Sequence, residues 1–111
     1  SGLVGSEMCI RDSYITQLIY IIEGKEAVFD QFEDIAIPAI ARYNGQLMLR
    51  IRPAKDDIIE SNTEVPYEVH LVSFPTEEDF ELFKHDEERK KFLHLKEESI
   101  RASLLIKGTM L

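Results

Sequence analysis

The chain has 111 residues, 44% hydrophobic and 31% charged, with a net charge of −8. That is one domain's worth of chain, with apolar material for a modest core and a composition unlike that of disordered segments. The negative balance repels phosphate backbones and anionic lipid surfaces, so neither nucleic acid nor a membrane is expected as a partner. No run of about 18 apolar residues occurs, so no transmembrane helix is expected. The one cysteine, Cys9, excludes an internal disulfide framework, and the expected location is the cytoplasm.

Residues 1–13 hold neither a two-residue nor a 3.6-residue period. They lack the basic and apolar regions of a signal peptide. The string "GLVGSEMCIRD" resembles a translated adapter-like sequence found fused to unrelated reading frames in environmental (metagenomic) collections. Residues 1–13 are therefore expected not to be native, and the natural amino terminus to be missing. Cys9 then carries no functional information. The domain is expected to span 14–108, with 109–111 as a tail.

From Tyr14 the patterning is continuous. "YITQLIYII" (14–22) reads as a strand apolar on both faces, which belongs in the middle of a sheet. Gly24 punctuates the chain. Residues 25–43 read as a helix: Phe29, Phe32, Ala36, Ala39, Ile40 and Tyr43 recur at spacings of three and four. Asn44-Gly45 supplies a left-handed stop, and Pro38 predicts a kink between Asp34 and itself. "QLMLRIRP" (46–53) alternates as a strand, Leu47, Leu49 and Ile51 against Gln46, Met48, Arg50 and Arg52.

A polar loop follows, with room for one helical turn. "YEVHLVSF" (67–74) is the next strand, with Tyr67, Val69, Leu71 and Ser73 on one face and Glu68, His70, Val72 and Phe74 on the other. Thr76 caps a helix carrying Phe80 and Phe83. A break near Asp86 lets that residue cap a second short helix, with Phe92 and Leu95 inward. "SIRASLLIK" (99–107) is the last strand.

The order β-α-β-β-α-β is the split βαβ, ferredoxin-like α+β topology. It implies a four-stranded antiparallel sheet of order 4-1-3-2 with helices on one face. The second face is expected to carry Met48, Val72, Phe74, Leu105 and part of the first strand. Such an apolar surface is rarely left to water, and sheet-to-sheet packing of a homodimer would cover it.

The stretches "AIPAIARYNGQLMLRIRP", "PYEVHLVSFPTEEDFELFKHDEERKKF" and "SIRASLLIKG" resemble the dimeric α+β-barrel superfamily. They are most similar to an uncharacterised group of short bacterial proteins with an A-x-P-x-I-x-x-Y-x-G helix end and an F-P-S/T-x-E-x-F strand-to-helix junction. Here these read Ala36, Pro38, Ile40, Tyr43 and Gly45, then Phe74, Pro75, Thr76, Glu78 and Phe80. The likeness runs from Tyr14 to Gly108. It implies a dimer whose two sheets form a barrel. At superfamily level it implies kinship with antibiotic-biosynthesis-type monooxygenases, haem-degrading enzymes, lactone isomerases and effector-binding barrels. The chain departs from the haem-degrading pattern, since it has no tryptophan, and no cofactor is expected.

Under strict alternation, Arg50, Arg52, Glu68, His70, Arg101 and Gln17 share one side of the sheet. A loop centred near position 59 sets Arg50 opposite Glu68. An arginine pair with a histidine suits a carboxylate or enolate: His70 is the candidate acid or base, Arg50 and Arg52 the candidate anion stabilisers, and Glu68 and Arg101 ligand-binding residues. The competing reading is that these charges only pair with one another near the dimer interface. Tyr20, Tyr43 and Tyr67 offer hydroxyls to a pocket, or serve as core rings with satisfied tips. The phenylalanines are core, and would line a cavity if the helices stand off the sheet. His85 and His94 lack ligand spacing, so no metal is expected.

These residues leave three readings open. The first is an uncharacterised small-molecule-binding barrel. The second, implied by the resemblance, is a cofactor-independent monooxygenase or isomerase acting on a small apolar enolisable substrate. The third is a purely structural dimer. A cavity beside His70 favours the first two, and a dry interface there favours the third.

Overall fold

The strand that is apolar on both sides lies where its composition requires, inside a sheet. In a computed structural model, which describes residues 13–109 and 111, β1 (Ser13–Ile21) pairs antiparallel with two neighbours. After it come α1 (Glu26–Arg42), β2 (Gln46–Ile51), a 3-10 turn at Lys55–Asp57 and β3 (Glu68–Phe74). Then follow α2 (Glu77–Lys84), α3 (Glu87–Lys91), α4 (Leu93–Ser99) and β4 (Ile100–Gly108). The strand order is β2-β3-β1-β4, which is 4-1-3-2 read from the other edge.

Local chemistry ends and starts these elements as the sequence indicates. Thr76 Oγ1 accepts from Asp79 N at 3.0 Å and caps α2, and Asp86 Oδ2 accepts from Arg89 N at 2.8 Å and caps α3. The predicted second short helix is two pieces, α3 and α4, joined at Phe92. α1 runs as one helix through Pro38, which stands on its exposed side. Asn44 turns the chain left-handed at φ 64°. Gly45 serves closeness: a Cβ there would lie 2.6 Å from both Ile40 Cγ2 and Phe74 Cε1. Ser13, placed outside the domain by sequence, is the first residue of β1 and stands opposite Phe74. The expectation for Cys9 and the rest of 1–12 lies outside the described residues.

The helices pack on one face of the sheet. Ile15 and Ile19 of β1, Val72 and Phe74 of β3, and Phe29, Phe32, Ala36, Ala39 and Ile40 of α1 are all buried. Each large side chain among them contributes about 1.5–3 kcal/mol of transfer free energy.

Which face this is corrects the sequence reading. Val72 and Phe74 were expected on the open side, yet they sit under the helices, packed with Ile15, Ile40, Tyr43, Leu47, Phe80 and Phe83. Leu105 also turns to the helix side. The open face instead carries Leu18, Leu49, Ile51, Val69, Leu71, Leu104 and Ile106, which the register places side by side. Leu49, Ile51, Leu104 and Ile106 are 42–50% exposed.

A bulge is one cause. Leu47 pairs with Val72 but Leu49 with Leu71, so Met48 is the extra residue and strict alternation fails there. The same pairing puts Arg50 opposite His70, not Glu68.

Gly45→Ala is expected to destabilise the fold by about 1–3 kcal/mol, the usual cost of overpacking. Gly108→Ala, where no atom lies within 4 Å of the added methyl, should be near neutral. Thermal denaturation of the two variants side by side checks this.

Candidate binding site

Glu68 opens β3 on the helix side and is 1% exposed. A buried carboxylate needs partners, and this one has three. Arg50 Nε donates to its Oε2 at 3.0 Å, Arg52 Nε donates to its Oε1 at 2.9 Å, and His70 Nε2 bonds to Oε2. Burial alone would raise this carboxyl, but the hydrogen bonds from His70, Arg50 and Arg52 outweigh it and hold the group down to about 2. Arg52 also donates to Asp30 Oδ1 at 2.8 Å, and its guanidinium lies 4.6 Å from the Tyr67 ring centre and 5.9 Å from that of Phe29. Burial opposes the charge on Arg52, but these carboxylates more than offset it and push the guanidinium further up.

His70 has a second acidic neighbour. Its Nε2 lies 3.6 Å from Glu33 Oε2 on α1. Both residues are buried, at 3% and 6% exposure. Glu33 differs from Glu68 because no arginine among the described residues bonds to it. Burial pushes its carboxyl up to about 7, with the nearby His70 pulling the other way.

Glu33 and His70 share a cavity of about 320 Å³ between the sheet and the helices. Its apolar wall includes Phe32, Ile37, Ile40, Phe74, Phe80 and Phe83. Its polar lining includes Gln17, Glu33, His70 and Ser103, together with the cations Lys84, Arg89 and Lys96. Among the described residues, neither Arg89 nor Lys96 has a carboxylate at ion-pair distance. Arg89 Nη1 donates to the Lys84 carbonyl at 3.2 Å, and its guanidinium lies 5.3 Å from the Phe83 ring centre. Burial lowers both cations, and the charge of Arg89 lowers Lys96 further.

The sequence-derived site is thus only partly assembled. His70 lines the cavity and Gln17 stands opposite it on β1. Glu68, Arg50 and Arg52 adjoin it as a bonded cluster facing an outer groove with Asp30 and Asp34. Arg50 bonds to Glu68 through Nε, and Arg52 is shared between Glu68 and Asp30.

Arg101 does not join this set. A register shift between Tyr20 and Ile21 takes it out of alternation, and it pairs with Glu64 beside the Tyr20 ring. The three tyrosines do not line the cavity. Tyr20 OH donates to the Glu64 carbonyl at 3.4 Å, Tyr43 OH donates to Asp86 Oδ1 at 2.8 Å, and Tyr67 packs edge-on against Phe29. Sequence reasoning missed Glu33, Arg89 and Lys96. Glu33 was detectable, because it sits on the apolar stripe of α1, between Phe29 and Ala36.

Glu33, Glu68 and His70 offer three ligand atoms within 4.8 Å of one another, a grouping the sequence did not reveal. Both oxygens of Glu68 already accept from arginine, so a cation there would face two guanidiniums. The donor set fits a bonded charge cluster better than a metal centre. No helix among the described residues is long and apolar enough to cross a membrane.

Solved structures share this fold at low identity. A protein of unknown function from Rhodopseudomonas palustris aligns with a TM-score of 0.74 and 11% identity, over 100% of this chain and 93% of its own. A dimeric protein of unknown function and ferredoxin-like fold from Bacteroides fragilis gives 0.64 and 10%, over 88% and 95%. A DABB family protein with a ferredoxin-like fold from Mesorhizobium loti gives 0.64 and 11%, over 89% and 96%. Identities of this size show the fold, which is ferredoxin-like α+β, and leave activity to the site itself. No protein-family model and no curated protein matches the chain.

The two carboxyls imply opposite pH windows. The folded state holds the Glu33 proton more tightly than the unfolded chain does, so its contribution is complete below about 4.5 and is lost as pH rises through about 7. Glu68 contributes above about 4.5 and loses this as pH falls toward 2. Urea denaturation between pH 5 and 8 should show stability falling with pH in the wild type, and a flatter profile in Glu33→Gln. An unchanged slope in that variant would refute the assignment.

Proposed function

We propose that the protein is a homodimeric small-molecule-binding α+β barrel whose ligand occupies the cavity between sheet and helices. The observation that carries this reading is the cavity itself: an apolar wall with a few polar groups among its lining. The dimer rests on the opposite face of the sheet. Leu49, Ile51, Leu104 and Ile106 form an apolar surface beside Val69 and Leu71 that a second copy would cover. The description of the Bacteroides fragilis protein as dimeric supports it.

A second reading is favoured by the Glu33–His70 pair, namely proton abstraction from an enolisable substrate. His70 Nε2 is spent on Glu68, which leaves Glu33 as the base facing the cavity, with His70 fixing its surroundings. In an isomerase the proton would move from one carbon to Glu33 and return to another. In a cofactor-independent monooxygenase, dioxygen would be the second substrate. One of its atoms would enter a methylene as a carbonyl, and the other would leave as water with both methylene hydrogens. The superfamily resemblance supports either chemistry. Antibiotic-biosynthesis-type kinship and a cytoplasmic location belong to this same reading.

Naphthalene-2-carboxamide, a neutral aromatic probe, should shift NMR resonances of Ile37, His70 and Phe83. Ala36→Phe, which fills the cavity, should abolish those shifts. Shifts confined to the open sheet face would overturn the binding site. Light scattering should report a dimer for the wild type and a monomer for the pair Leu104→Glu with Ile106→Glu. A wild-type monomer at micromolar concentration would sink the barrel.

A further inference from the structure

We infer that the cavity takes an organic anion, a carboxylate or comparable oxyanion on an apolar body, with its charged end at Arg89 and Lys96 and its body running toward Glu33 and His70. This inference rests on the cavity being a binding site and adds the class of ligand.

Three observations carry it. The chain as a whole is acidic, at −8, yet this cavity is lined by three cations against a single carboxyl. Lys84 is the only one of the three with an ion-pair partner among the described residues, Glu81 at 3.0 Å. Arg89 and Lys96 have none at ion-pair distance, although both are half-buried and the charge of Arg89 bears on Lys96; Asp86 and Glu33 favour the one and Glu33 and Glu97 the other, yet burial still lowers both. Two desolvated like charges side by side are costly without an anion, and an anion placed between them relieves both penalties. The remainder of the wall is aromatic and aliphatic, which suits the ligand's body.

Glu33 sets the pH range. The charged groups facing it are His70 and Glu68 on β3, Arg50 on β2, Arg52 just beyond that strand, Arg89 on α3 and Lys96 on α4. Below about 7 it is neutral and the cavity's charge is positive. Above that it ionises and competes with the ligand for the same cations.

Isothermal titration of naphthalene-2-carboxylate against naphthalene-2-carboxamide, equal in shape and different in charge, tests this. At pH 6 the carboxylate should bind the wild type about tenfold or more tightly than the amide, as a charge-assisted contact predicts. Arg89→Gln and Lys96→Gln should each erase most of that preference and leave the amide's affinity intact, which also shows that the variants fold. Carboxylate affinity should fall as pH rises through 7 in the wild type and stay level in Glu33→Gln. Equal binding of both probes by the wild type, or a preference that survives the double variant, overturns the anion site and leaves the binding cavity standing. Binding of neither probe overturns the cavity reading along with it.

Discussion

A buried carboxylate with three donors organises the functional half of this molecule. Glu68 is inaccessible to water, so its charge is tolerable only while Arg50, Arg52 and His70 bond to it. Those bonds tie β2 to β3 and fix the His70 ring beside Glu33. They also sort the two buried acids. Glu68 is held ionised by His70 and its arginines, whereas burial pushes the Glu33 carboxyl up to about 7. The raised carboxyl at the cavity wall stands beside one whose charge Arg50 and Arg52 hold in place.

The cavity follows from how the helices meet the sheet. The chain packs closely where its residues are small: Ala39 of α1 is buried, and Gly45 in the turn after α1 admits the Phe74 ring. Asp86 binds the end of α1 to the start of α3, accepting from Arg42 at 2.9 Å and Tyr43 at 2.8 Å while capping Arg89. Burial works against the Asp86 charge, but those donors together keep its carboxyl low. Between this anchor and the sheet the bulky Phe32, Phe80 and Phe83 hold the layers apart. The same cap aims Arg89 inward, so one aspartate both closes the core and presents a cation to the space beside it.

Much of the fold was legible in the sequence because its signals are local. The element order, the caps at Thr76 and Asp86, the left-handed turn at Asn44 and the central place of β1 follow from periodicity and side-chain chemistry. The side of the sheet on which the helices lie was not legible. Glu68, His70, Val72 and Phe74 on one face of β3 are no more apolar than Val69 and Leu71 on the other. In β2 the uniformly greasy row of Leu49 and Ile51 looks like the core face, yet it is the open one. One residue, Met48, reverses the alternation, and nothing in its chemistry announces a bulge. The tyrosines show the same limit: a hydroxyl's partner, such as Asp86 for Tyr43, lies 43 positions along the chain. Arg89 and Lys96 were hidden because a cation on a short polar helix carries no signal of the cavity it faces.

The irregularity at Met48 also bears on how the protein avoids growing into fibres. β2 is an edge strand, and an extra residue bends it so that its outer amides and carbonyls no longer form an even row. A passing strand finds no ladder to extend there. The exposed leucines and isoleucines lie on the broad face of the sheet, away from that edge, so contact through them would not lengthen the sheet.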